Sequence, residues 1–440
     1  MKKICLKKNY LTPVFETNDN SYAEWFGYYN YDTLDTEHKR LLCNRAQIES
    51  PQIRPSDKIE VGYYKLQDGK WHGLGVSDSW NWQQGAMLQW LPMDGRYNKV
   101  IYNSSMDGHL VSIIYDFETG KNRIIDWPIY GIMPNAKASI SIDFERSYWC
   151  RAYHYMSIAN PEKDGNVLSG DGIFLIDLVS NKRSVLIDIE TIIKTDYRSE
   201  FEGKKHWLEH VMISPSGKRF CFLHRYADPN NIFNYKTRLC LANSNGTGLQ
   251  VVSGWESFRW SHFGWQGDDA FAIYTNTSSM TGNASDGVSE KNKGIKFRVK
   301  SYIKKNLPVY FFDKMKYRDR YYQRYELNNN GVFQLVENMK KPYFSIDGHP
   351  SFTSDGKYMI TDSYVDGKNY RRVIIHNVVS KKGLIVAKFL ENCLPDNVPC
   401  DLHPKLSQDN NYIVFDTTNT GKHKMNVYQI NWDLVKSRIE

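Results

Sequence analysis

The chain lacks the short motifs that mark most nucleotide-dependent and metal-dependent enzymes. Its 440 residues contain no P-loop, no GxGxxG turn that opens a helix, no HExxH pair and no GxSxG elbow. These absences exclude nucleotide-driven, zincin and serine-hydrolase chemistry. No segment approaches the roughly 18 consecutive apolar residues that a membrane span requires, so no membrane span is expected.

Cysteine pairs and helical patterns are scarce as well. The 7 cysteines are scattered without a CxxC pair, and their odd number argues against a disulfide framework, so reduced thiols are expected. The basic N-terminus is not followed by the apolar run of a signal peptide, which predicts a cytoplasmic protein. Helical periodicity is limited to two short stretches, 189–195 and 432–438.

Aromatic residues, by contrast, are abundant at 14% of the chain, and they favour β-strands and sugar-binding surfaces. The formal net charge of +8 mildly favours polyanionic partners. The only dense cationic region, 291–305, is either a binding patch or a solvated loop, and it does not form the basic stripe of a nucleic-acid-binding protein. We therefore expect an acidic oligosaccharide or polysaccharide as partner, and no nucleic acid.

A repeat of four short strands runs along the chain. Alternating apolar runs are separated by Gly, Asn or Asp turns, and a His stands seven residues before the turn in HVMISPSG, HPSFTSDG and HPKLSQDN, with HFGWQGDD in the same frame. The period is about 50 residues once an insertion at 280–308 is left out. This pattern predicts an all-β fold, a seven-bladed β-propeller of four-stranded blades that forms a single domain over 1–440. The predicted blades are 8–72, 80–126, 134–190, 206–253, 258–340, 345–390 and 399–436.

The repeat predicts a site at one end of the central channel. The first strand of each blade lines the channel of a propeller, and equal positions in different blades lie at equal heights. Four histidines are therefore expected to form a ring: His210, His262, His349 and His403. Asp347 and Asp401 each stand two residues before a ring histidine, on the same strand face. A single histidine of this kind often only stabilises the repeat, but the early blades lack it, which favours a one-sided site.

Hairpin geometry adds further side chains at this level. In the fourth blade a tight turn folds the second strand back along the first, which returns His224 and Arg225 to the level of His210. Asp362 and Asp416 stand at the matching places in their own blades, where bonding to backbone groups is the plainer interpretation. The channel mouth is thus expected to carry imidazoles, carboxylates and an arginine.

A cluster of tryptophans and amides at 80–90 opens the second blade. Amides and indoles suit sugar hydroxyls and ring faces, so Gln83 and Gln84 are substrate-binding candidates at the channel mouth. Packing of the tryptophans in the core explains the cluster equally well. Arg151 is a further candidate, since guanidinium groups bind carboxylates.

These motifs resemble those of the oligogalacturonate lyases, seven-bladed propellers that cleave uronate oligosaccharides by β-elimination with a divalent metal. FCFLHRY is similar to the family hairpin that carries the catalytic base, which implies that role for His224. WSHFGW and CDLHPKL are similar to the metal-binding segments, and DGHPSF begins a comparable strand in the preceding blade. The resemblance covers about 206–436 and implies these metal ligands: His262, His349, Asp401 and His403.

The sequence departs from the family pattern at two ligand positions. Asp401 replaces a histidine, and Val398 stands where the family has a glutamine ligand. Because carboxylates are good ligands for Mn²⁺ and Ca²⁺, one of these two metals is expected.

β-Elimination at a uronate requires a neutralised carboxylate, a base, and a proton for the leaving oxygen. The resemblance implies the metal for the first and His224 for the second, with His210 as a further catalytic candidate. Arg225, Tyr226 or Tyr364 would assist with charge, substrate binding or protonation. We expect a lyase that acts on a uronate-containing glycan. Two alternatives stay open: a non-catalytic glycan- or protein-binding propeller with a structural metal, and a glycoside hydrolase with two carboxylates.

Overall fold

The fold is all β, as predicted, and consists of seven four-stranded antiparallel blades, one of which gains a fifth strand. The predicted insertion at 280–308 and the cationic region at 291–305 lie outside the residues described here. The computed structural model of the chain describes residues 5–6, 8–48, 50, 52–93, 95–151, 155, 157–252, 259–276, 320–339, 342–366, 368–391 and 400–440.

Two N-terminal strands join blades that are built by the other end of the chain. They are β1 (Cys5–Leu6) and β2 (Leu11–Glu16). β1 adds a fifth strand to the sixth blade, and β2 is the outermost strand of the seventh, so the chain closes its own ring. The predicted first blade, 8–72, is therefore wrong at its start. Local alternation identifies β2 as a strand but carries no information about its partner.

The first three blades are meanders of four consecutive strands. The turn at Asp107 and Gly108 shows how the sequence sets a hairpin. Both residues have positive φ, at 50° and 78°, as a two-residue hairpin requires. The strands are β3 (Ala23–Trp25), β4 (Arg40–Ala46), β5 (Ile59–Lys65), β6 (Lys70–Ser77), β7 (Gln89–Met93), β8 (Arg96–Met106), β9 (His109–Asp116), β10 (Lys121–Ile125), β11 (Gly131–Ile132), β12 (Ala138–Ser141), β13 (Gly172–Asp177) and β14 (Lys182–Asp188).

The last four blades contain the four ring histidines. Their inner strands are β15, β19, β23 and β27, and each contains or directly follows a ring histidine and leads to a tight turn. The strands are β15 (Lys205–Ile213), β16 (Arg219–Ala227), β17 (Lys236–Asn243), β18 (Gln250–Val251), β19 (Arg259–Trp265), β20 (Ala270–Asn276), β21 (Arg320–Leu327), β22 (Phe333–Met339), β23 (Ser351–Phe352), β24 (Tyr358–Asp362), β25 (Tyr370–Asn377), β26 (Gly383–Leu390), β27 (Lys405–Leu406), β28 (Tyr412–Thr417) and β29 (Lys424–Ile430).

Helices are short and peripheral to the blades. The second and third of them coincide with the two predicted stretches. In the described part of the chain no helix is long and apolar enough to cross a membrane. The α-helices are α1 (Phe144–Cys150), α2 (Ile189–Lys194) and α3 (Trp432–Ile439), and the 3-10 turns are Lys8–Tyr10, Pro161–Lys163 and Ser199–Phe201.

The tryptophans of the 80–90 cluster pack in the core. Trp80, Trp82 and Trp90 are at most 5% exposed. The first two also pack against Trp25 with tilted rings, whose centroids are 5.7 and 4.7 Å away. The packing interpretation of this cluster is therefore the correct one for its indoles.

Residues 26–32, which we name the channel segment, cross the channel between the inner strands. The Tyr29 hydroxyl donates to the Phe263 carbonyl of β19 at 2.7 Å, and the Tyr31 hydroxyl donates to the Tyr130 carbonyl at 2.9 Å. These partners belong to different sides of the ring, so the segment fills the space that an empty propeller would leave open.

The channel segment separates the two ends of the channel. Gly27 has φ of 134°, and a Cβ at this position would lie 2.6 Å from the Gln84 carbonyl oxygen, so only glycine allows this close approach. Beyond the segment, a cavity of about 580 Å³ is lined by Asn30, Asp32 and Lys405 among others. The histidine end is therefore closed on its inner side.

Candidate functional site

The four ring histidines converge at one end of the channel. The imidazole centroids of His262 and His349 are 4.1 Å apart, those of His349 and His403 are 4.2 Å apart, and those of His210 and His262 are 6.3 Å apart. Four successive blades thus contribute to one cluster, although up to 193 residues separate its members in the chain.

Local backbone irregularities turn these side chains toward the channel. β15 shifts register between Glu209 and Met212, and β19 shifts register around His262. His210 and His403 have positive φ values of 55° and 45°. A bulge re-aims a side chain by inserting one residue without a partner in the ladder, and such features are frequent beside functional sites.

Three groups in the cluster are placed to share one metal ion. Candidate ligand atoms of His349, Asp401 and His403 all lie within 4.8 Å of one another. Asp401 Oδ2 is 4.0 Å from His349 Nε2 and 3.9 Å from His403 Nε2. These separations are too long for hydrogen bonds. They suit an ion held between the atoms, because metal–ligand distances are about 2 Å.

The tautomers of three imidazoles fit metal binding. His349 Nδ1 faces the Asp362 carboxylate at 2.9 Å, His262 Nδ1 faces Asp347 at 3.2 Å, and His403 Nδ1 faces a backbone carbonyl of the channel segment. Each Nδ1 must donate to its oxygen, which leaves the Nε2 lone pair available. Nε2 of His349 is buried and has no hydrogen-bond partner among the described residues. The residues therefore fit a divalent cation with mixed nitrogen and oxygen ligands.

Burial and neighbouring charges act in opposite directions on the groups of the cluster. Burial opposes ionisation of Asp401, but His349 and Arg371 lower the pKa of its carboxyl below the usual range. Burial opposes protonation of His349 as well, yet the Asp362 carboxylate raises the pKa of that imidazole. Burial and the neighbouring His349 lower the pKa of His403 to about 3, so His403 is a neutral imidazole.

Two side chains orient the Asp401 carboxylate. Gln83 Nε2 donates to Oδ2 at 3.1 Å, and Arg371 Nη1 donates to Oδ1 at 3.2 Å. Gln83 thus lies at the cluster, whereas the amide of Gln84 donates to the Tyr130 hydroxyl at 2.7 Å and is occupied within the protein.

Tyr364 also lies beside the cluster. Its ring centroid is 5.8 Å from that of His262 and 5.6 Å from that of His349. Burial raises the pKa of its hydroxyl well above the usual value, so the phenol keeps its proton.

His210 is held differently from the other ring histidines. Its Nε2 faces Glu209 Oε2 at 3.4 Å, and its Nδ1 contacts the Tyr28 hydroxyl. Because a carboxylate can only accept, Nε2 carries the proton and Nδ1 accepts from Tyr28. Burial lowers the pKa of His210 to about 4, against the effect of Glu209. His210 is therefore neutral and is not arranged as a metal ligand.

Two arginines converge on Glu209 next to His210. Arg225 Nη1 is 2.6 Å from Glu209 Oε2, and Arg151 Nη1 is 3.3 Å from the same oxygen. Burial opposes ionisation of Glu209, but Arg151 and Arg225 hold the pKa of its carboxyl well below the usual range. Two guanidinium groups thus share the Glu209 carboxylate.

His224 lies apart from this cluster, which contradicts its assignment as the base. It is fully buried. Its Nδ1 accepts from Arg238 Nε at 2.7 Å, so its Nε2 carries the proton and donates to His206 Nδ1 at 2.9 Å. Burial and the nearby Arg238 lower the pKa of His224 well below the usual value. The lone pair that a base needs is already occupied.

The error about His224 comes from strand alternation. Neighbouring residues of a strand face opposite sides of the sheet, so His224 and Arg225 cannot both face the Glu209 side. Arg225 takes that side. Tyr226 lies with His224, its ring 5.9 Å from that of His206 and its hydroxyl donating to Glu200 at 2.7 Å. Tyr226 therefore does not line the candidate site either.

The channel segment adds two tyrosines that sequence reasoning missed. Tyr28 contacts His210 through its hydroxyl, and the Tyr29 ring lies 5.1 Å from that of His349. The only sequence signal was a dense aromatic run inside the predicted first blade, and this feature alone does not distinguish a site from a core.

The fold and this cluster define a seven-bladed propeller with a candidate metal centre at one end of its channel. Two solved structures share the fold over nearly the whole chain. An oligogalacturonate lyase from Vibrio parahaemolyticus has a TM-score of 0.59 and 12% identity, covering 97% of this chain and 96% of that one. An oligogalacturonate lyase in complex with manganese has a TM-score of 0.59 and 13% identity, covering 98% of this chain and 97% of that one.

At these identities the likeness establishes the fold. No protein-family model and no curated protein matches the sequence.

Proposed function

We propose that the protein is a metal-assisted lyase that cleaves a uronate-containing glycan by β-elimination. The observation that carries this proposal is the cluster in which His349, Asp401 and His403 offer ligand atoms within 4.8 Å of one another. The two arginines that share Glu209 lie next to it. The fold shared with two oligogalacturonate lyases supports the same reaction class.

His349, Asp401 and His403 would hold the metal, with His262 as a further nitrogen ligand beside them. When bound, the cation neutralises the substrate carboxylate and so makes the adjacent C–H bond more acidic. Manganese fits this mixed set of imidazole and carboxylate ligands better than calcium, which prefers oxygen ligands throughout.

The other residues would bind and orient the substrate. Arg151 and Arg225 lie together beside Glu209, and their guanidinium groups would bind a uronate carboxylate. Tyr364 and Gln83 lie where sugar hydroxyls would meet the cluster. The imidazole of His210, whose Nδ1 accepts the Tyr28 hydroxyl, lies beside these groups.

Hydrolysis by two carboxylates is less compatible with the geometry. A glycosidase needs one carboxylic acid that holds a proton. Asp401 is kept ionised by Arg371 and His349, and Asp347 faces His262. Asp416 is the carboxyl that keeps its proton, because burial raises its pKa well above the usual value, but this side chain is buried and bonds to the backbone of Phe26.

The products of a glycan panel test the proposal. Protein loaded with Mn²⁺ is incubated with oligogalacturonate, alginate oligomers and glucuronate oligomers, and the products are followed by ultraviolet absorbance and mass spectrometry. We expect an unsaturated uronate end from at least one substrate, no activity in His403→Gln, and full activity in the surface control His109→Gln. Saturated products that are one water heavier, or no product at all, would contradict the proposal.

A further inference from the structure

Two guanidinium groups from neighbouring blades meet beside the candidate metal centre. Arg151 follows α1 in the third blade, and Arg225 lies on β16 of the fourth. Both donate from Nη1 to Glu209 Oε2, at 3.3 and 2.6 Å respectively. The same oxygen lies 3.4 Å from Nε2 of the ring histidine His210. Because like charges that share one oxygen repel each other, further contacts must hold the two guanidinium groups together.

The ring of Tyr235 supplies such a contact to both arginines. Its centroid is 4.5 Å from Cζ of Arg225 and 5.3 Å from Cζ of Arg151. The face of an aromatic ring attracts a cation within about 6 Å, and the attraction is stronger where water is excluded. Tyr235 stands directly before β17, so its ring ties the third blade to the fourth at the point where the two charges meet.

Trp207 fixes both the carboxylate and the ring. Its Nε1 donates to Glu209 Oε1 at 2.6 Å, and its own ring meets that of Tyr235 edge-on, with centroids 5.9 Å apart. Trp207 is fully buried. Of the two guanidinium side chains, that of Arg151 is the more exposed, at 15% against 6% for Arg225. Arg151 is therefore the one that a ligand reaches first.

We propose that Tyr235 is a positioning residue, whose ring holds Arg151 where it meets a uronate carboxylate. This inference rests on the proposed lyase function. Glu209 anchors the Arg151 guanidinium, and the ring of Tyr235 lets Arg225 share the same carboxylate. A ligand carboxylate then meets a guanidinium group that is already oriented, so less side-chain freedom is lost on binding. The cluster thereby distinguishes a charged uronate from its neutral ester.

The aromatic face, rather than the hydroxyl, carries this role. The Tyr235 hydroxyl is 3.5 Å from Arg151 Nη1, which is at the long limit for a hydrogen bond. The ring, in contrast, lies within cation–π range of both guanidinium groups. A phenylalanine at position 235 should therefore replace the tyrosine, and an aliphatic residue should not.

Ligand binding tests this role without any turnover. Galacturonate and glucuronate, which have no glycosidic bond to cleave, are titrated into Mn²⁺-loaded protein. We expect Tyr235→Leu to bind the better of the two about 5- to 30-fold more weakly than wild type, and Tyr235→Phe to stay within about twofold. Tyr22→Leu is the matched control, because Tyr22 makes the same contact with Arg45 in the first blade, at 4.1 Å. This control should bind as wild type.

The methyl ester of the same sugar separates positioning from general damage to the fold. The ester carries no charge, so its binding does not depend on an oriented guanidinium group. Wild type should prefer the acid to the ester, and Tyr235→Leu should lose this preference while it keeps the wild-type affinities for the ester and for Mn²⁺. Equal weakening of acid and ester, or a loss of Mn²⁺ affinity, would make Tyr235 merely structural and would overturn the inference.

The outcomes separate the two proposals. If wild type binds a uronate with this preference but forms no unsaturated product from any glycan, only the lyase function fails. If wild type is a lyase, Tyr235→Leu should raise KM by the same factor and leave kcat unchanged, as the loss of uniform binding does. A wild-type KM and a wild-type acid affinity in Tyr235→Leu, or a wild type that binds neither uronate, would overturn the role of Tyr235.

Discussion

At the scale of single residues, the histidines of this protein differ in what holds their ring nitrogens. His262, His349 and His403 each donate from Nδ1 to an oxygen and keep Nε2 available. His210 is reversed, with Nε2 facing a carboxylate and Nδ1 accepting a hydroxyl proton. His224 has both nitrogens engaged inside the protein. The neighbours of each histidine, rather than its residue type, thus decide whether it can bind a metal, accept a hydrogen bond or only support the structure.

Replacing the carboxylate behind a ligand should weaken metal binding. Asp362 accepts from both the backbone N–H and the Nδ1–H of His349. Loss of such a partner costs about 10–100-fold in metal affinity, and we expect that reduction in Asp362→Asn by calorimetric titration with Mn²⁺. Asp355→Asn, which changes a turn carboxylate at the opposite end of the same blade, should bind as wild type. Equal affinities in the two variants would contradict the ligand role of His349.

At the scale of elements, a buried network ties α2 to the fourth blade. Arg238 of β17 donates to His224 and, through Nη1, to the Thr195 carbonyl at 2.7 Å. His224 Nε2 in turn donates to His206 Nδ1, and His206 Nε2 donates to the Phe201 carbonyl at 3.2 Å. Each link requires neutral imidazoles, because a second ring proton would place two N–H groups face to face.

This network predicts a loss of stability in acid. Burial lowers the pKa of His206 to about 4, and the pKa of His224 is lowered as well. In the unfolded chain these two imidazoles bind protons once the pH falls below the usual histidine pKa of about 6.5, whereas in the folded chain they do not. The free energy of unfolding therefore falls as the pH falls from about 6.5 to 4. Each imidazole contributes at most about 1.4 kcal/mol per pH unit.

Urea unfolding at a series of pH values measures this slope. His206→Gln should show a shallower fall in the free energy of unfolding than wild type over that range. The control His109→Gln removes an exposed imidazole and should leave the slope unchanged. A wild-type slope in His206→Gln would show that the network does not couple to protons.

The repeat predicted the blades and the histidine ring because both depend on local alternation and spacing. It could not predict which side of a hairpin each residue faces, because one bulged residue in β15 reverses the alternation. It therefore misplaced His224 and passed over Glu209. The partner of β2 and the contact of Tyr28 with His210 involve the far end of the chain or another blade, and such contacts leave no local pattern.

At the scale of the whole molecule, ring closure includes a buried ion pair between the first and last blades. Lys424 Nζ lies 2.7 Å from Glu24 Oε2, and the exposed fractions of the two side chains are 3% and 0%. The Tyr64 hydroxyl donates to the same carboxylate. The pair reinforces the closure that β2 makes on β29.

Breaking this pair should destabilise the whole ring. Lys424→Met leaves the Glu24 carboxylate buried without its partner, which costs about 3–5 kcal/mol. The double variant with Glu24→Leu should recover part of the loss. Lys194→Met, which removes an exposed pair with Glu190 at 3.1 Å, should cost less than about 1 kcal/mol. Guanidinium unfolding measures all three, and equal costs for the two lysines would contradict a role of the pair in closure.

Titration of metal-stripped protein with Mn²⁺ tests most directly whether one position, repeated around the ring, builds a single metal centre. We predict one site per chain, lost in both His349→Gln and His403→Gln, which alter different blades, and retained in His224→Gln. A protein that binds no Mn²⁺, or a site that survives the replacement of both ring histidines, would contradict this account.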